Sequence, residues 1–404
     1  MYDVAVIGAG PAGATCARYL GRLGYSVVLT DKATFPRDKP CGGGFSRSII
    51  DEFPYLRSRQ DELIDAVCKI GVLHSPNHRI ELRSRIDMVV TLRTMFDNVL
   101  YESAIEQSSV VPMTGVRTKA VRLGDDHVMI QLSDGRSIQA RAVVGADGVG
   151  SIVARDAGLH RRWPSNKITA CRVAEIPVSE DYVENVYGED REYHFFANFG
   201  GRPGYAWIFP KKRTINVGIG IVGTLAAGLP HRFAEFITYL KRRHLIPRES
   251  DLSRARGALV PTGGAIRKTY ARCCILAGDA AGMVNPITGG GIHYAMVAGR
   301  YAALVLSQAL EDNDLEEERL QKYQHLWWND FGHNLPRLVI AQRLFTSSTS
   351  PVLFEIGSRD SGIQHMVSEA MGEHSGAQID AVSLLTRVTW VCLREALTGR
   401  WHPT

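Results

Sequence analysis

Near the start of the chain, residues 2 to 13 read Tyr2-Asp-Val-Ala-Val-Ile-Gly8-Ala-Gly10-Pro-Ala-Gly13, and this segment is the strongest indication of the fold class. The apolar run before Gly8 is typical of a buried parallel strand. A helical pattern follows from residue 12 to residue 23, and a second short apolar stretch, residues 26 to 31, ends at Asp31. Together these segments predict a strand–helix–strand unit whose glycines lie at the first turn.

The glycines and the acid have the spacing that a dinucleotide requires. Gly8 permits the tight turn, Gly10 lets the backbone approach a pyrophosphate, and Gly13 lets helix and strand pack closely. The helix start offers free N–H groups and a positive dipole end to the phosphates. Asp31 lies 18 residues past Gly13, where an acid can accept hydrogen bonds from ribose hydroxyls. We therefore predict a dinucleotide site that includes Gly8, Gly10, Ala12, Gly13, Ala14 and Asp31.

Amino-acid composition limits the classes of protein to which the chain can belong. The 404 residues are 45% hydrophobic and 22% charged, which indicates a globular protein of two or three subdomains. The net charge is +5, but the basic residues form no block, so we expect no nucleic-acid partner. We see no apolar run of about 18 residues and no secretory signal. Seven scattered cysteines without a CxxC pair predict neither disulfides nor a metal site, and the expected location is the cytoplasm.

Two further glycine-containing turns follow apolar strands. The first, Gly145-Ala-Asp-Gly148, resembles the second fingerprint of the p-hydroxybenzoate hydroxylase-like flavoproteins. The second begins at Gly278-Asp279 and continues to Gly291-Ile292, where a helical pattern resumes. In that group the acid lies beside the FAD ribityl chain, and the helix start approaches the flavin, where its dipole stabilises an anionic reduced ring. The resemblance implies FAD as the cofactor, with Asp279, Gly291 and Ile292 beside it.

A third similarity concerns the middle of the predicted FAD domain. Residues 93 to 100, Arg-Thr-Met-Phe-Asp-Asn-Val-Leu, resemble the Arg-x-x-Phe-Asp-x-x-Leu helix of the same flavoproteins. In those enzymes the arginine reaches the cofactor, which implies the same role for Arg93. Val116 lies in the strand region that follows, where we expect a contact with adenine.

Two other segments are similar to the geranylgeranyl reductase family. Asp38-Lys-Pro-Cys41-Gly-Gly-Gly44 is similar to the segment that lies against the flavin, which implies cofactor contacts for Cys41, Gly42 and Gly44. Tyr205-Ala-Trp-Ile-Phe-Pro210 resembles the Tyr-x-Trp-x-Phe-Pro motif, which implies an isoprenoid pocket lined by Tyr205, Trp207, Phe209 and Pro210. The resemblance spans about residues 1 to 300 and implies reduction of C=C bonds in geranylgeranyl chains. It favours archaeal-type membrane glycerophospholipids as substrates, and chlorophyll precursors and quinones stay open.

The chemistry explains why these residue types suit that reaction. An isolated alkene is a poor electrophile, so hydride delivery to one carbon needs a proton delivered to the other, in a site that excludes water. Tyr205, Trp207 and Phe209 alternate along one strand and therefore face the same side, as an apolar channel wall requires. Cys41 is the candidate proton donor, although a free cysteine also suits a buried apolar position.

These observations predict an α/β protein with a Rossmann-type FAD-binding domain, an interleaved antiparallel-sheet substrate domain and a helical C-terminal region. The FAD domain is expected to contain residues 1–75, 93–160 and 268–310. The substrate domain is expected to contain residues 76–92 and 161–267, and the helical region residues 311–404.

Other functions and partners stay open at this stage. A flavin-dependent monooxygenase or halogenase would use the same fold, but the tryptophan pair of the tryptophan halogenases is absent at residues 205–210. A non-enzymatic, flavin-containing lipid-binding protein is a further alternative. No second GxGxxG occurs, so the electron donor is either NAD(P)H that docks transiently or a ferredoxin. The mildly basic charge leaves peripheral contact with a membrane surface open.

Overall fold

The computed structural model describes residues 1–125, 127–348 and 350–365, and the positions 386, 387, 389–391, 393, 394 and 397. The strands in chain order are β1 (Tyr2–Ile7), β2 (Val27–Asp31), β3 (Gly44–Ser46), β4 (Ala66–His74), β5 (Glu81–Val90), β6 (Val110–Thr114), β7 (Thr118–Leu123), β8 (Val128–Leu132), β9 (Ser137–Gly145), β10 (Thr169–Pro177), β11 (Glu192–Ala197), β12 (Gly204–Pro210), β13 (Thr214–Val222), β14 (Arg256–Val260), β15 (Tyr270–Ala271) and β16 (Cys274–Leu276). The helices are α1 (Pro11–Arg22), α2 (Ser48–Glu52), α3 (Gln60–Leu63), α4 (Arg93–Ile105), α5 (Ile152–Asp156), α6 (Glu180–Tyr187), α7 (Leu229–Arg242), α8 (Ile292–Glu311), α9 (Glu317–Asp330), α10 (Leu335–Phe345) and α11 (Ser350–Ser358).

The chain forms two units, each assembled from three segments. The first contains Met1–Lys39, Leu92–Lys167 and Val260–Leu335, and the second contains Pro40–Thr91, Ile168–Leu259 and the described residues from Pro336 onwards. The sequence-based boundary differs, because it places residues 40–75 in the first domain. Strand pairing explains the difference: β3 pairs with β5, and β4 pairs with β5 and β11, so this segment belongs to the second sheet.

The first unit contains a mostly parallel sheet with the strand order β15-β16-β9-β1-β2-β6. β1 pairs in parallel with β2 and β9, which confirms the predicted strand–helix–strand unit and the Rossmann-type α/β fold. β8 pairs antiparallel with β9, as predicted by the apolar run Val128–Leu132 and the turn residues Asp134 and Gly135 that follow it. α1 and α8 pack closely, since a β-carbon on Gly299 would overlap the carbonyl oxygen of Ala12. The carboxyl ends of β1 and β2 therefore carry the glycine turn and Asp31, at the edge where such sheets bind ligands.

The second unit contains a largely antiparallel sheet with the strand order β14-β10-β13-β12-β11-β4-β5-β3. α7 covers one face of it. The i, i+3, i+4 and i+7 spacing of Phe233, Phe236, Ile237 and Leu240 predicts one apolar helix face, and all four are buried there. They pack with alternate residues of β12 and β13, such as Ile208 and Ile219. Because strand side chains alternate, Tyr205, Trp207 and Phe209 face the opposite side of the sheet.

Residues 311–404 are predicted to form a separate helical region, but its described residues are divided between the two units. The sequence pattern of residues 320 to 345 predicts one helix, but the structure has two: α9 ends at Asp330 and α10 begins at Leu335, with a short turn at Gly332–Asn334 between them. The sequence pattern also predicts a helix from residue 381 to residue 397, which lies largely outside the described residues. Among the helices that the structure describes, none combines the length and apolar character needed to cross a membrane.

Candidate functional site

The glycine turn after β1 combines tight packing with one open position. Gly8 has a φ of +101°, and a β-carbon there would overlap the carbonyl oxygen of Ala146. A β-carbon on Gly13 would overlap the carbonyl oxygen of Gly8, which is the close helix–strand contact expected from the sequence. Gly10 differs, because only the Arg37 Nη2 atom, 3.4 Å from its ideal β-carbon, approaches it. The turn is thus closely packed at Gly8 and Gly13 and open at Gly10, the position at which the sequence predicts the approach of a pyrophosphate.

Asp31 lies at the end of β2 and connects three loops at the sheet edge. Its Oδ2 accepts a hydrogen bond from the Ala9 N–H at 2.9 Å, and its Oδ1 accepts one from the Ala33 N–H at 2.8 Å. Its carbonyl oxygen accepts from the Val116 N–H at 3.1 Å. Val116 follows β6 in a loop rather than lying on a strand. The predicted ribose acid and the predicted adenine contact therefore lie beside the glycine turn.

Arg93 is the first residue of α4, as predicted, but its guanidinium has a partner that the sequence did not indicate. It forms two hydrogen bonds of 2.8 Å with the carboxylate of Asp97, and both side chains are buried. Arg37 Nη2 lies 2.9 Å from the same carboxylate. Burial alone would raise the pKa of Asp97, but the Arg93 and Arg37 guanidinium groups outweigh it and hold that pKa below its usual value. Two guanidinium groups against one carboxylate leave positive charge close to Gly10.

Sequence reasoning missed Arg37. The signal was a cation shortly after the second strand, in Phe35-Pro-Arg37-Asp-Lys39, but such a residue is by default an exposed loop cation. Only the structure places it beside Gly10 and the buried Asp97.

The predicted flavin-proximal residues of the C-terminal motif also come together within the first unit. Asp279 lies in the turn after β16, and its Oδ2 is 3.4 Å from Lys39 Nζ. Its Oδ1 lies 3.4 Å from the ideal β-carbon position of Gly291, the residue before α8. Ile292 begins α8, so the positive end of that helix dipole lies near Asp279.

These residues fit a bound FAD. The open position at Gly10, the positive charge of the two arginines and the helix start of α1 suit a pyrophosphate. The carboxylates of Asp31 and Asp279 are acceptors for ribose and ribityl hydroxyls.

The second unit carries an aromatic face on β12. The ring centroids of Tyr205 and Trp207 are 5.5 Å apart, and Phe209 completes the row. β11 adds two residues that sequence reasoning missed, Tyr193 and Phe195, whose ring centroids lie 5.7 and 5.5 Å from that of Phe209. Their signal was the same two-residue alternation in Glu192–Ala197. We call these five residues the aromatic face.

The Cys41–Gly44 loop lies against this face. A β-carbon on Gly42 would overlap the Phe209 ring, and one on Gly44 would lie 3.3 Å from it. Gly218 on β13 likewise leaves room for the side chain of Trp207, because a β-carbon at Gly218 would overlap the indole. Cys41 is partly exposed, whereas the other cysteines that the structure describes are buried. The structure thus brings together the two segments that carry the family resemblance.

A buried polar network borders the aromatic face. The indole Nε1–H of Trp207 donates to Asn216 Oδ1 at 2.8 Å, and Lys211 Nζ lies 2.8 Å from Glu175 Oε2. Pro210 ends β12 and pairs with Ile215. No group of three histidine, cysteine or acidic side chains suited to a metal ion occurs among the described residues.

Comparison with known proteins gives one consistent family. The FAD binding domain family matches residues 1–326, so FAD is the cofactor. The chain is 32% identical to digeranylgeranylglycerophospholipid reductase 1 of Methanococcoides burtonii, over 86% of this chain and 84% of the relative. It is 31% identical to digeranylgeranylglycerophospholipid reductase 2 of Methanopyrus kandleri, over 87% and 88% of the two chains.

The solved structures agree on the fold. A geranylgeranyl bacteriochlorophyll reductase-like protein from Thermoplasma acidophilum superposes with a TM-score of 0.78 and 24% identity, over 98% of each chain. The chain therefore belongs to the FAD binding domain family and, with the relatives above, to the digeranylgeranylglycerophospholipid reductase family.

Proposed function

We propose that this protein is an FAD-dependent reductase of C=C bonds in the geranylgeranyl chains of membrane glycerophospholipids. The observation that carries the proposal is the aromatic face, with the Cys41–Gly44 loop packed against Phe209. An apolar wall of this kind suits a prenyl chain, and relatives at about 30% identity are named for that substrate class. The monooxygenase, halogenase and non-enzymatic alternatives have less support, because the named relatives are reductases.

The chain's own residues would divide the task in two. In the first unit, Gly10, Asp31, Asp279 and the Arg37–Arg93–Asp97 cluster would hold the cofactor. When bound, reduced FAD supplies hydride to one alkene carbon. In the second unit, the aromatic face would exclude water and stabilise positive charge that develops on the other carbon. Cys41 is the proposed proton donor to that carbon, because it is the accessible thiol beside the face.

The proposal extends to the membrane surface and the electron donor. On α10, Ile340 and Leu344 are exposed together with Arg337 and Arg343, a combination that suits peripheral contact with anionic lipids. Flotation with anionic and neutral vesicles tests that contact, with Ile340→Ser as the weakened variant.

NAD(P)H or a ferredoxin stays the predicted electron donor, and anaerobic flavin bleaching by each of them tests this choice.

An anaerobic single-turnover experiment tests the reaction itself. The bound flavin is reduced with dithionite and mixed with vesicles that contain a digeranylgeranyl phospholipid, and the same lipid with saturated chains serves as control. We expect flavin reoxidation only with the unsaturated lipid, and a mass gain of one H₂ per reduced double bond. Absence of reoxidation by the alkene, together with oxygen-dependent hydroxylation of a substrate, would contradict the reductase assignment.

A further inference from the structure

Asn216 is a buried amide, 1% exposed, that makes three hydrogen bonds around the aromatic face. Its Oδ1 accepts from Trp207 Nε1 at 2.8 Å. Its Nδ2 donates to the Cys41 carbonyl oxygen at 3.0 Å and to Glu175 Oε2 at 2.7 Å. The indole N–H can only donate and the carboxylate can only accept, so the partners themselves determine which way the amide points.

Glu175 holds the amide from the opposite end. Besides Asn216, its carboxylate accepts from Lys211 Nζ at 2.8 Å and from Thr214 Oγ1 at 2.5 Å. The Lys211 side chain is 1% exposed, so this ion pair is largely desolvated on the lysine side. Because the buried Lys211 ammonium would be strongly destabilised without its partner, the ion pair holds the Glu175 carboxylate in place. The carboxylate in turn holds the amide of Asn216.

The other two hydrogen bonds of Asn216, to Trp207 and to Cys41, connect separate parts of the site. One reaches Trp207 on β12, whose indole also packs against Gly218. The other reaches the backbone of Cys41, next to the Gly42 that packs on Phe209. The aromatic face and the cysteine loop are thus joined through a single side chain that lies 175 residues from Cys41 in sequence.

We propose that Asn216 is a positioning residue that holds the Trp207 indole and the Cys41 loop in a fixed mutual arrangement for alkene reduction. The proposal rests on the proposed function, because it assigns Asn216 a part in that reaction. An apolar residue at 216 would leave the indole N–H, the Cys41 carbonyl and one carboxylate lone pair without their bonds. The orientation of the thiol and of the indole would then be lost together.

The test compares Asn216→Ala with a matched control, Asn198→Gly, in the FAD-loaded protein. Asn198 is also a buried asparagine of the second unit, bonded to Phe345 O and the Gly204 N–H, and glycine tolerates its φ of 45°. The first readout is the iodoacetamide alkylation rate of Cys41, measured by peptide mass spectrometry. We expect Asn216→Ala to raise that rate about tenfold, as for a lost hydrogen bond, and Asn198→Gly to leave it within about twofold.

The second readout is kinetic. Asn216→Ala should lower kcat for the lipid about tenfold with the flavin content unchanged, and the effect should shrink in a Trp207→Phe background, which lacks the indole donor. Asn216→Ser, which keeps a hydroxyl for one partner, replaces Asn216→Ala should the latter not fold. Equal Cys41 alkylation in both asparagine variants, or additive effects of the two site substitutions, would overturn the proposal. A rise in Cys41 alkylation with no alkene reduction by the wild type would instead count against the proposed function and leave the coupling intact.

Discussion

The ring of Phe209 lies against the α-carbon of Gly42, at the place that a β-carbon on residue 42 would occupy. We predict that Gly42→Ala displaces either the ring or the cysteine loop and lowers kcat/KM for the lipid about tenfold or more, because small misplacements near the reacting atoms are costly. FAD content should stay near that of the wild type. Gly150→Ala is the matched control, since nothing lies within 4 Å of its β-carbon position. Equal kinetics for the two alanine variants would contradict this prediction.

Two glycines of the N-terminal turn should respond differently to alanine. Gly13→Ala forces a β-carbon into the Gly8 carbonyl oxygen, so both the melting temperature of the apoprotein and the flavin content should fall. Gly10→Ala meets only Arg37 Nη2 at 3.4 Å, so the apoprotein should stay folded and lose FAD affinity, because the added methyl occupies the ligand's approach. Flavin-to-protein ratios and apoprotein melting curves check both outcomes. A Gly10→Ala protein that keeps its full flavin content would show that the cofactor does not approach there.

The sequence predicted the parts of the fold that depend on local periodicity and failed where distant segments meet. The first strand–helix–strand unit and the apolar stripe of α7 follow from patterns a few residues long, and both are confirmed. The sequence predicts residues 40–75 in the first domain, whereas the structure has them in the second unit, where the three-residue strand β3 pairs with β5. Asn216 has no local sequence signal, and Arg37 has only that of an ordinary loop cation, because the partners of each residue lie far away in the chain.

Substitutions of the two arginines in the Arg37–Arg93–Asp97 cluster should have different effects, one mainly on protein stability and the other mainly on FAD binding. Arg93→Ala leaves a fully buried Asp97 with one cationic partner fewer, so we expect a loss of about 3 kcal/mol in the free energy of unfolding. Arg37→Gln removes the cation nearest Gly10 but keeps the Arg93 pair, so the Kd for FAD should rise about tenfold with a smaller change in stability. Urea unfolding of the apoprotein and FAD titration measure the two effects. A Kd unchanged by Arg37→Gln would exclude this arginine from the phosphate site.

Two histidines of the second unit should make the protein sensitive to acid. His74 Nε2 and His194 Nδ1 lie 2.9 Å apart, and both side chains are buried. Burial lowers the pKa of His74 to about 3, and electrostatic repulsion from the His194 and His78 imidazoles and from two arginines adds to the effect. Burial, with repulsion from Arg83, lowers the pKa of His194 to about 4. Both imidazoles are therefore neutral in the folded protein near neutral pH, one donating to the other.

The direction in which folding stability changes with pH follows from proton binding to the folded and unfolded states. The unfolded chain takes up protons near the ordinary histidine pKa of about 6.5, whereas the folded protein resists until about pH 4, so stability falls as the pH drops through that window. At about pH 5 the loss should be about 2 kcal/mol per histidine. Urea unfolding at about pH 7 and about pH 5 measures it, and His194→Asn, which can keep a hydrogen bond to His74, should reduce the difference. His231→Asn is the control, because it is the same substitution at a side chain that is 75% exposed. If His194→Asn and His231→Asn show the same pH dependence as the wild type, the buried pair is not its source.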